Sequence, residues 1–356
     1  MISIRKNHLN RLYMDKLLTI VIPAYNMEAL LPRCLDSICT EKVMDKVQVI
    51  VVNDGSKDRT LEIARSYESR YPHYIIVIDK SNGNYGSCMN AGLSIAVGKY
   101  FRTLDADDWY NTKAYEQFIE ELDKTDADMI ICERDEFNKN IIDHKRFNKT
   151  VKTDVDYIID NSMWTNKSII EMIHVSSVIY KTEIVRHSGL KWDEGVYFTD
   201  NEFIYWPLSL LQTIRFMPLP VYQYDRAREG QSTSPQNLRK SFNSYYIVST
   251  RILDKFLTEM NSQTPVYGIQ ISIIKNGLLR SLYMTLFMDG YVHKKEIECI
   301  EKKVKKNKDL YNITNDFDDY RNLHYVDAYR HNKLLFWCIR FDYRLRRFMH
   351  HILAND

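Results

Sequence analysis

The 356-residue chain has no apolar run near the roughly 20 residues that cross a bilayer, and its longest, Leu17 to Ile22, has the length of a strand. No transmembrane helix is expected. The opening MISIRKNHLNRLYMDK carries charge throughout and lacks the apolar centre of a secretory signal, so a cytosolic location is expected. Six cysteines, at 34, 39, 88, 132, 299 and 338, contain no Cys-x-x-Cys pair and no zinc-type spacing. They read as small buried hydrophobes of a reducing compartment, not as a disulfide frame or a thiolate metal site. Charge of one sign is missing too. The balance of 49 Lys and Arg against 47 Asp and Glu leaves +2, which removes the bulk attraction a nucleic-acid binder relies on, and no nucleic-acid partner is expected. A hydrophobic share of 45% with 27% charged residues excludes a disordered chain, and no internal repeat is visible.

Two nucleotide-binding fingerprints are mimicked and fail. Gly92 to Lys99 has five residues between its glycines instead of a phosphate loop's four, and Tyr100 replaces the magnesium-holding hydroxyl. Gly83-Asn84-Tyr85-Gly86 has the wrong spacing for a dinucleotide turn and follows the third apolar run, not the first.

What is present is alternation. LLTIVI, VQVIVV, YIIVID, KYFRTL and DMIIC are β-branched runs separated by amphipathic stretches long enough for helices, the pattern of an α/β fold with a mostly parallel sheet. The first boundary falls near Lys16. From Glu133 to Asp160 the text turns charged and its periodicity weakens; apolar segments resume at SIIEMIHVSSVIY and FIYWPLSLLQTIRF, as an α+β completion of the same domain. Residues 238–356 read as a helical extension interrupted at Pro265, Gly268, Gly277 and Gly290.

Ligands of such sheets bind outside the carboxyl ends of the strands. Those ends carry Pro23-Ala24-Tyr25-Asn26, Asn53-Asp54-Gly55-Ser56, Asp79 with Asn82 and Gly83, and Asp105-Ala106-Asp107-Asp108. Asp-x-Asp also occurs at Asp126 and Asp128 and at Asp154 and Asp156, but the first of these pairs precedes its strand. Only Asp105 and Asp107 sit at the ligand edge. Neighbouring carboxylates repel unless a cation joins them, and hard divalent ions choose carboxylate and phosphate oxygens, so Mg2+ or Mn2+ bridging a diphosphate is the natural reading. The plain alternatives are a turn that caps the helix near Asn111, and for Asn53–Ser56 a turn before a capped helix.

PAYNMEALLPRCLDSI, VIVVNDGSKDRTLEI, SNGNYGSCMNAGLSIAVGKYF and TLDADDW resemble the successive motifs of family 2 glycosyltransferases of the GT-A fold across residues 17–132. VIYKTEIVRHSGLKWDEGVYFTDNEF is similar to that family's acceptor-side region and extends the likeness to about residue 235. The resemblance implies an N-terminal arm (1–16), a Rossmann-like GT-A nucleotide-diphospho-sugar transferase domain (17–237, with halves 17–132 and 133–237) and the C-terminal helical extension. It implies that Pro23, Ala24, Tyr25 and Glu28 lie along the nucleoside, that Asp54 accepts from uracil, and that the donor is a UDP-sugar. Asn82, Gly83, Asp105 and Ala106 would complete the donor site, with Asp107 as ligand of Mn2+ or Mg2+. In Thr199-Asp200-Asn201-Glu202, Asp200 takes the place of the base that deprotonates a carbohydrate or lipid-linked glycan acceptor; Thr199 departs from the family's Glu, and Glu202 is the second candidate. Met89 replaces an Arg of many relatives, and Arg228, in a segment similar to a loop that folds over the donor, would supply the missing cation to the diphosphate.

His174 reads as a core histidine with a possible place at the donor site, and Trp109 as packing beneath the metal loop. LLFWCIRFDYRLRRFMHHIL combines aromatics with Arg340, Arg344, Arg346 and Arg347, suited either to an anionic membrane surface or to docking on the domain. The reading is an inverting, metal-dependent transferase of cell-surface polysaccharide or teichoic-type polymer assembly. The alternatives are a nucleotidyltransferase, which needs a basic glycine-rich loop after the first strand that PAYNMEALLP lacks, or a catalytically silent carbohydrate-binding protein.

Overall fold

Both faces of the leading strand are apolar, the condition for a strand covered by helices on each side. In β1 (Leu18–Ala24), Leu18, Ile20 and Ile22 face a core shared with α1 (Leu31–Ile38) and α2 (Thr60–Arg70), while Val21 faces the other way, against Gly92 of α3 (Asn84–Ile95). α4 (Thr112–Leu122) returns to the first face with Phe118 and Ile119. Local sequence explains the helices. α1 carries proline in its first turn and an apolar stripe of Leu31, Cys34, Leu35 and Ile38, and α4 is capped by Asn111, whose Oδ1 accepts the Ala114 amide at 3.1 Å.

The computed structural model describes residues 16–227, 241–289, 293–315 and 324–353, in two compact units, Met1–Asn237 and Leu238–Asp356. Arg228 and the N-terminal arm through Asp15 lie outside the described residues. In the first unit β1 pairs in parallel with β2 (Val47–Asp54) on one side and β4 (Tyr100–Thr103) on the other, and β3 (Ile75–Lys80) lies beyond β2. The remaining strands are β5 (Trp109–Tyr110), β6 (Met129–Asn138), β7 (Ile141–Lys145), β8 (Asp156–Ile158), β9 (Val178–Lys181) and β10 (Thr213–Asp225). The order is β3-β2-β1-β4-β9-β6-β10-β5, with β7 on β6 and β8 on β10. β9 runs antiparallel to both β4 and β6, so the fourth and fifth apolar runs of the sequence are not neighbours. Three short helices, α5 (Lys167–Met172), α6 (Thr182–His187) and α7 (Asp200–Tyr205), complete the unit.

The charged run after Cys132 behaves unlike its pattern. β6 continues through Glu133, Arg134, Asp135 and Glu136, all buried. Each finds a partner: Arg134 with Glu136 (2.9 Å), Arg146 with Glu133 (3.2 Å) and Asp135 (2.6 Å), and Arg226 with Glu136 (2.9 Å). A buried charge persists only when paired, and here the partners come from β6 itself, the residue after β7 and the residue after β10. The cysteines divide: Cys34, Cys88 and Cys132 are buried, Cys39 and Cys299 partly so, and Cys338 is exposed.

The second unit is helical: α8 (Phe242–Glu259), α9 (Tyr267–Ser272), α10 (Arg280–Asp289), α11 (Lys294–Val304), α12 (Lys308–Asn315), α13 (Tyr325–His331) and α14 (Lys333–Leu353). Gly268 and Gly277 do not interrupt it. Gly268 lies within α9, and Gly277 within a π-helical stretch, Ile273–Leu279, joining α9 to α10. Arg330 and Glu301 form a buried ion pair at 2.6 Å.

Gly98 is where the loop after α3 meets β1. A Cβ there would lie 2.4 Å from the Thr19 backbone nitrogen, and the Gly98 amide already donates to Thr19 Oγ1 at 2.9 Å. Gly98→Ala is expected to lower stability by about 1–3 kcal/mol, measured as a shift in the urea midpoint; an unchanged midpoint contradicts this packing.

Candidate active site

The carboxyl ends of β1 and β2 are laced together. Asn26, with φ of +53°, accepts the Lys57 amide on Oδ1 at 2.9 Å, the Glu28 amide donates to Asp58 at 3.0 Å, and the Arg59 amide donates to Glu28 at 3.0 Å. Glu28 is thereby engaged on the exposed side of this join and does not line the cavity described below. Asp54, almost fully buried, accepts from Lys80 Nζ (2.8 Å) and the Gly83 amide (2.9 Å) on one oxygen, while Asn82 Nδ2 donates to its carbonyl at 2.9 Å. Gly83 shapes this turn from behind; its carbonyl accepts the Gly195 amide at 2.9 Å.

After β4 the chain gathers three carboxylates. One oxygen from each of Asp105, Asp107 and Asp108 lies within 4.8 Å of the others. Asp108 is buried and held by the Tyr222 hydroxyl and the Asp225 amide, both at 2.7 Å, while Asp105 and Asp107 are partly exposed. Burial, then the charges of Asp105 and Asp107, push the Asp108 carboxyl well above its ordinary range. Arg33 of α1 donates to the Asp107 carbonyl at 2.5 Å and stacks on Trp109 at 4.0 Å. Trp109 also packs on Phe137 (5.0 Å between centroids) and is not part of the cavity wall. An all-carboxylate set of this spacing fits a hard divalent cation.

The base candidate arrives from a different part of the chain. Asn90 of α3 clasps the loop before α7, donating to the Trp192 carbonyl and accepting the Trp192 amide, each at 3.0 Å. Glu202 is fully buried and accepts the Asp193 amide at 3.1 Å. Phe198, at φ of +67°, stands in the left-handed region, an uncommon state for a bulky residue, and turns the chain into α7. Asp200 opens that helix on the cavity. Burial raises its carboxyl above the usual carboxylate range.

One cavity of about 510 Å³ takes in Pro23, Ala24, Tyr25, Asp54, Asn82, Asp105, Ala106, Asp107, Asp108 and Asp200. Glu28, Gly83 and Glu202 stand outside its lining, and Arg228 lies outside the described residues. Sequence pattern singled out none of Arg33, Tyr85 and Tyr222, whereas Tyr224 opens the segment that carries Arg228. Tyr85 and Tyr224 line the wall, and burial, with the charges of Asp105 and Asp200 adding to it, raises both hydroxyls above their ordinary range. The other Asp-x-Asp pairs are structural: Asp126 and Asp128 both pair with Lys181 at 3.2 Å, and Asp156 with Arg215 at 3.0 Å. Met89 is completely buried in α3.

A mostly parallel sheet with an acidic cluster at the end of its fourth strand and a cavity across its carboxyl edge is the GT-A fold. Residues 19–180 match the glycosyl transferase family 2 model, and the chain carries a domain of that family. It is 28% identical over 198 residues to the uncharacterized glycosyltransferase EpsJ of Bacillus subtilis (strain 168), covering 53% of this chain and 54% of that one. It is 26% identical over 259 residues to the chondroitin synthase of Pasteurella multocida (strain Pm70), covering 72% of this chain and 25% of that one. The chain thus spans about half the length of the first relative and a quarter of the second. Among solved structures, S. aureus TarS 1-349 in complex with UDP-GlcNAc shares the fold at a TM-score of 0.63 and 16% identity, over 88% of this chain and 91% of that one.

Gly86 of α3 touches the loop that carries Asp200: a Cβ there would lie 2.1 Å from the Asp193 carbonyl. Gly86→Ala is expected to displace this loop and reduce turnover at least tenfold, as measured by product formation. Full turnover contradicts the coupling of Gly86 to Asp200.

Proposed function

We propose that the chain is an inverting, metal-dependent glycosyltransferase that moves a sugar from a UDP-linked donor to a hydroxyl of a carbohydrate or lipid-linked glycan acceptor. The observation that carries the reading is the sharing of one cavity by Asp200 and the cluster of Asp105, Asp107 and Asp108. The family 2 domain and the sugar-polymer synthase among its relatives support cell-surface polysaccharide or teichoic-type polymer assembly as the setting. The TarS complex with UDP-GlcNAc supports a UDP donor on a sheet of this kind.

Pro23, Ala24 and Tyr25 flank the nucleoside, and Asp54, fixed by Lys80 and Gly83, accepts from the uracil ring. Asp107, with Asp105 beside it, would hold Mn2+ or Mg2+, whose chemistry is Lewis-acid neutralisation of the diphosphate as it leaves. Asp200 removes the proton of the acceptor hydroxyl, and its raised pKa makes it a stronger base than an exposed carboxylate. Attack from the face opposite the diphosphate inverts the anomeric carbon. Glu202, buried against the Asp193 amide, positions the loop and takes no proton.

Asp200→Asn should reduce transfer by about 10²–10⁴-fold and leave UDP binding intact, while Asp107→Ala should abolish the gain in UDP affinity that Mn2+ gives. Product assays and calorimetry read both; near-normal turnover in the first or an unchanged Mn2+ effect in the second contradicts these roles.

The second unit supports a place at the inner face of the cell membrane. Among the described residues no helix is long and apolar enough to cross a bilayer. α14 instead exposes Leu334, Trp337, Phe341 and Leu345, spaced every three or four residues along one face, with Lys333 and Arg344 also exposed. An apolar stripe flanked by cations complements an anionic lipid surface. The protein is expected to float with phosphatidylglycerol-containing vesicles, and the Leu334→Glu/Phe341→Glu variant to stay in solution; equal flotation of the two contradicts the contact.

A further inference from the structure

An oriented imidazole stands in the cavity wall, and the steps above make no use of it. His174 follows α5 and lines the cavity beside Ser176 and Tyr224. Its Nδ1 lies 2.7 Å from Ser176 Oγ and 3.3 Å from the Ser176 amide nitrogen, which donates to it. An amide nitrogen only donates, so Nδ1 is the accepting, unprotonated nitrogen, and the proton of the neutral ring sits on Nε2. Among the described residues Nε2 has no hydrogen-bond partner.

The surroundings keep the ring in that state. Burial, followed by repulsion from Arg134 and Arg226, pushes its pKa down to about 3, so it stays neutral at physiological pH. Two buried guanidinium groups fix the turn that carries it: Arg102 donates to the Ser176 carbonyl at 2.9 Å, and Arg134 to Ser177 Oγ at 3.0 Å. Tyr224 packs against the imidazole at 5.6 Å between centroids.

Position selects the ligand group. Pro23, Ala24, Tyr25, Asp54 and Asn82 occupy the ends of the first three strands, where the nucleoside belongs. Tyr224, the neighbour of His174, shares the cavity lining with Asp105, Asp108 and Asp200 and precedes Asp225, whose amide holds Asp108 at 2.7 Å. With a diphosphate at the acidic cluster and an acceptor at Asp200, the group that lies between them is the sugar being transferred. We propose that His174 is a specificity residue of the sugar subsite, its Nε2–H donating a hydrogen bond to a hydroxyl or acyl oxygen of the donor sugar. This rests on the transferase reading above.

Calorimetry in Mn2+ with UDP, UDP-glucose, UDP-galactose and UDP-N-acetylglucosamine tests it on the wild type, His174→Phe and His174→Gln. Phe keeps a ring against Tyr224 without the donor; Gln keeps an N–H at comparable reach. UDP affinity should be the same in all three. For the nucleotide sugar that binds the wild type most tightly, the affinity gained over UDP should fall about three- to tenfold in His174→Phe and return in His174→Gln. In 15N-histidine NMR of the wild type at pH 7, His174 should appear as the neutral Nε2–H tautomer. An unchanged gain in His174→Phe, or an imidazolium or Nδ1–H signal, overturns this proposal alone. A wild type that binds none of the four nucleotides overturns the transferase reading and this proposal with it.

Discussion

Two unit charges about 4 Å apart interact by about 4 kcal/mol at an effective dielectric of about 20, and the loop after β4 gathers three carboxylates with oxygens inside 4.8 Å. That repulsion is the constraint on which the site depends. Part of it is met within the protein, where Tyr222 and the Asp225 amide bind both oxygens of Asp108. Asp105 and Asp107 stand partly exposed on the cavity, where a divalent cation and a diphosphate would meet the remainder. A loop of this charge is a poor design for stability alone and a good one for holding a cation between protein and phosphate.

The same loop is anchored from outside the chemistry. Arg33 reaches the Asp107 carbonyl from α1 while stacking on Trp109, and β10 supplies Tyr222 from the far side of the sheet. On the opposite wall α3 does the corresponding work for Asp200, with Asn90 clasping Trp192 and Gly86 abutting Asp193. α3 packs on the central strand and also meets the loop that carries Asp200.

Much of this was legible because period and position agree. β1, β2 and β4 are buried on both faces and β3 mainly on one, all four stand out as apolar-rich runs, and the ligand edge follows from where they end. Position also separates Asp105 and Asp107 from Asp126 and Asp128, whose carboxylates sit at the amino end of β6 and pair with lysines. Long-range pairing was not legible. Glu133 to Glu136 turn charged and lose periodicity, since nothing local announces Arg146 or Arg226, and β9 slips between β4 and β6 by contacts some 50 to 80 residues apart in sequence. Glu28 and Glu202 draw a chemical reading as carboxylates near a site, and in the structure both accept backbone amides from neighbouring loops. Tyr85 and Tyr222 carried no signal of their own, since a tyrosine's local sequence looks the same whether it packs or lines a cavity.

A crystal structure with UDP and Mn2+ tests the central claim most directly. The account predicts the uracil against Asp54, an ion ligated by Asp107 and touching the diphosphate, and Asp200 facing the space beyond it. UDP bound with its diphosphate away from the Asp105–Asp108 loop, or an ion that does not contact Asp107, would contradict it.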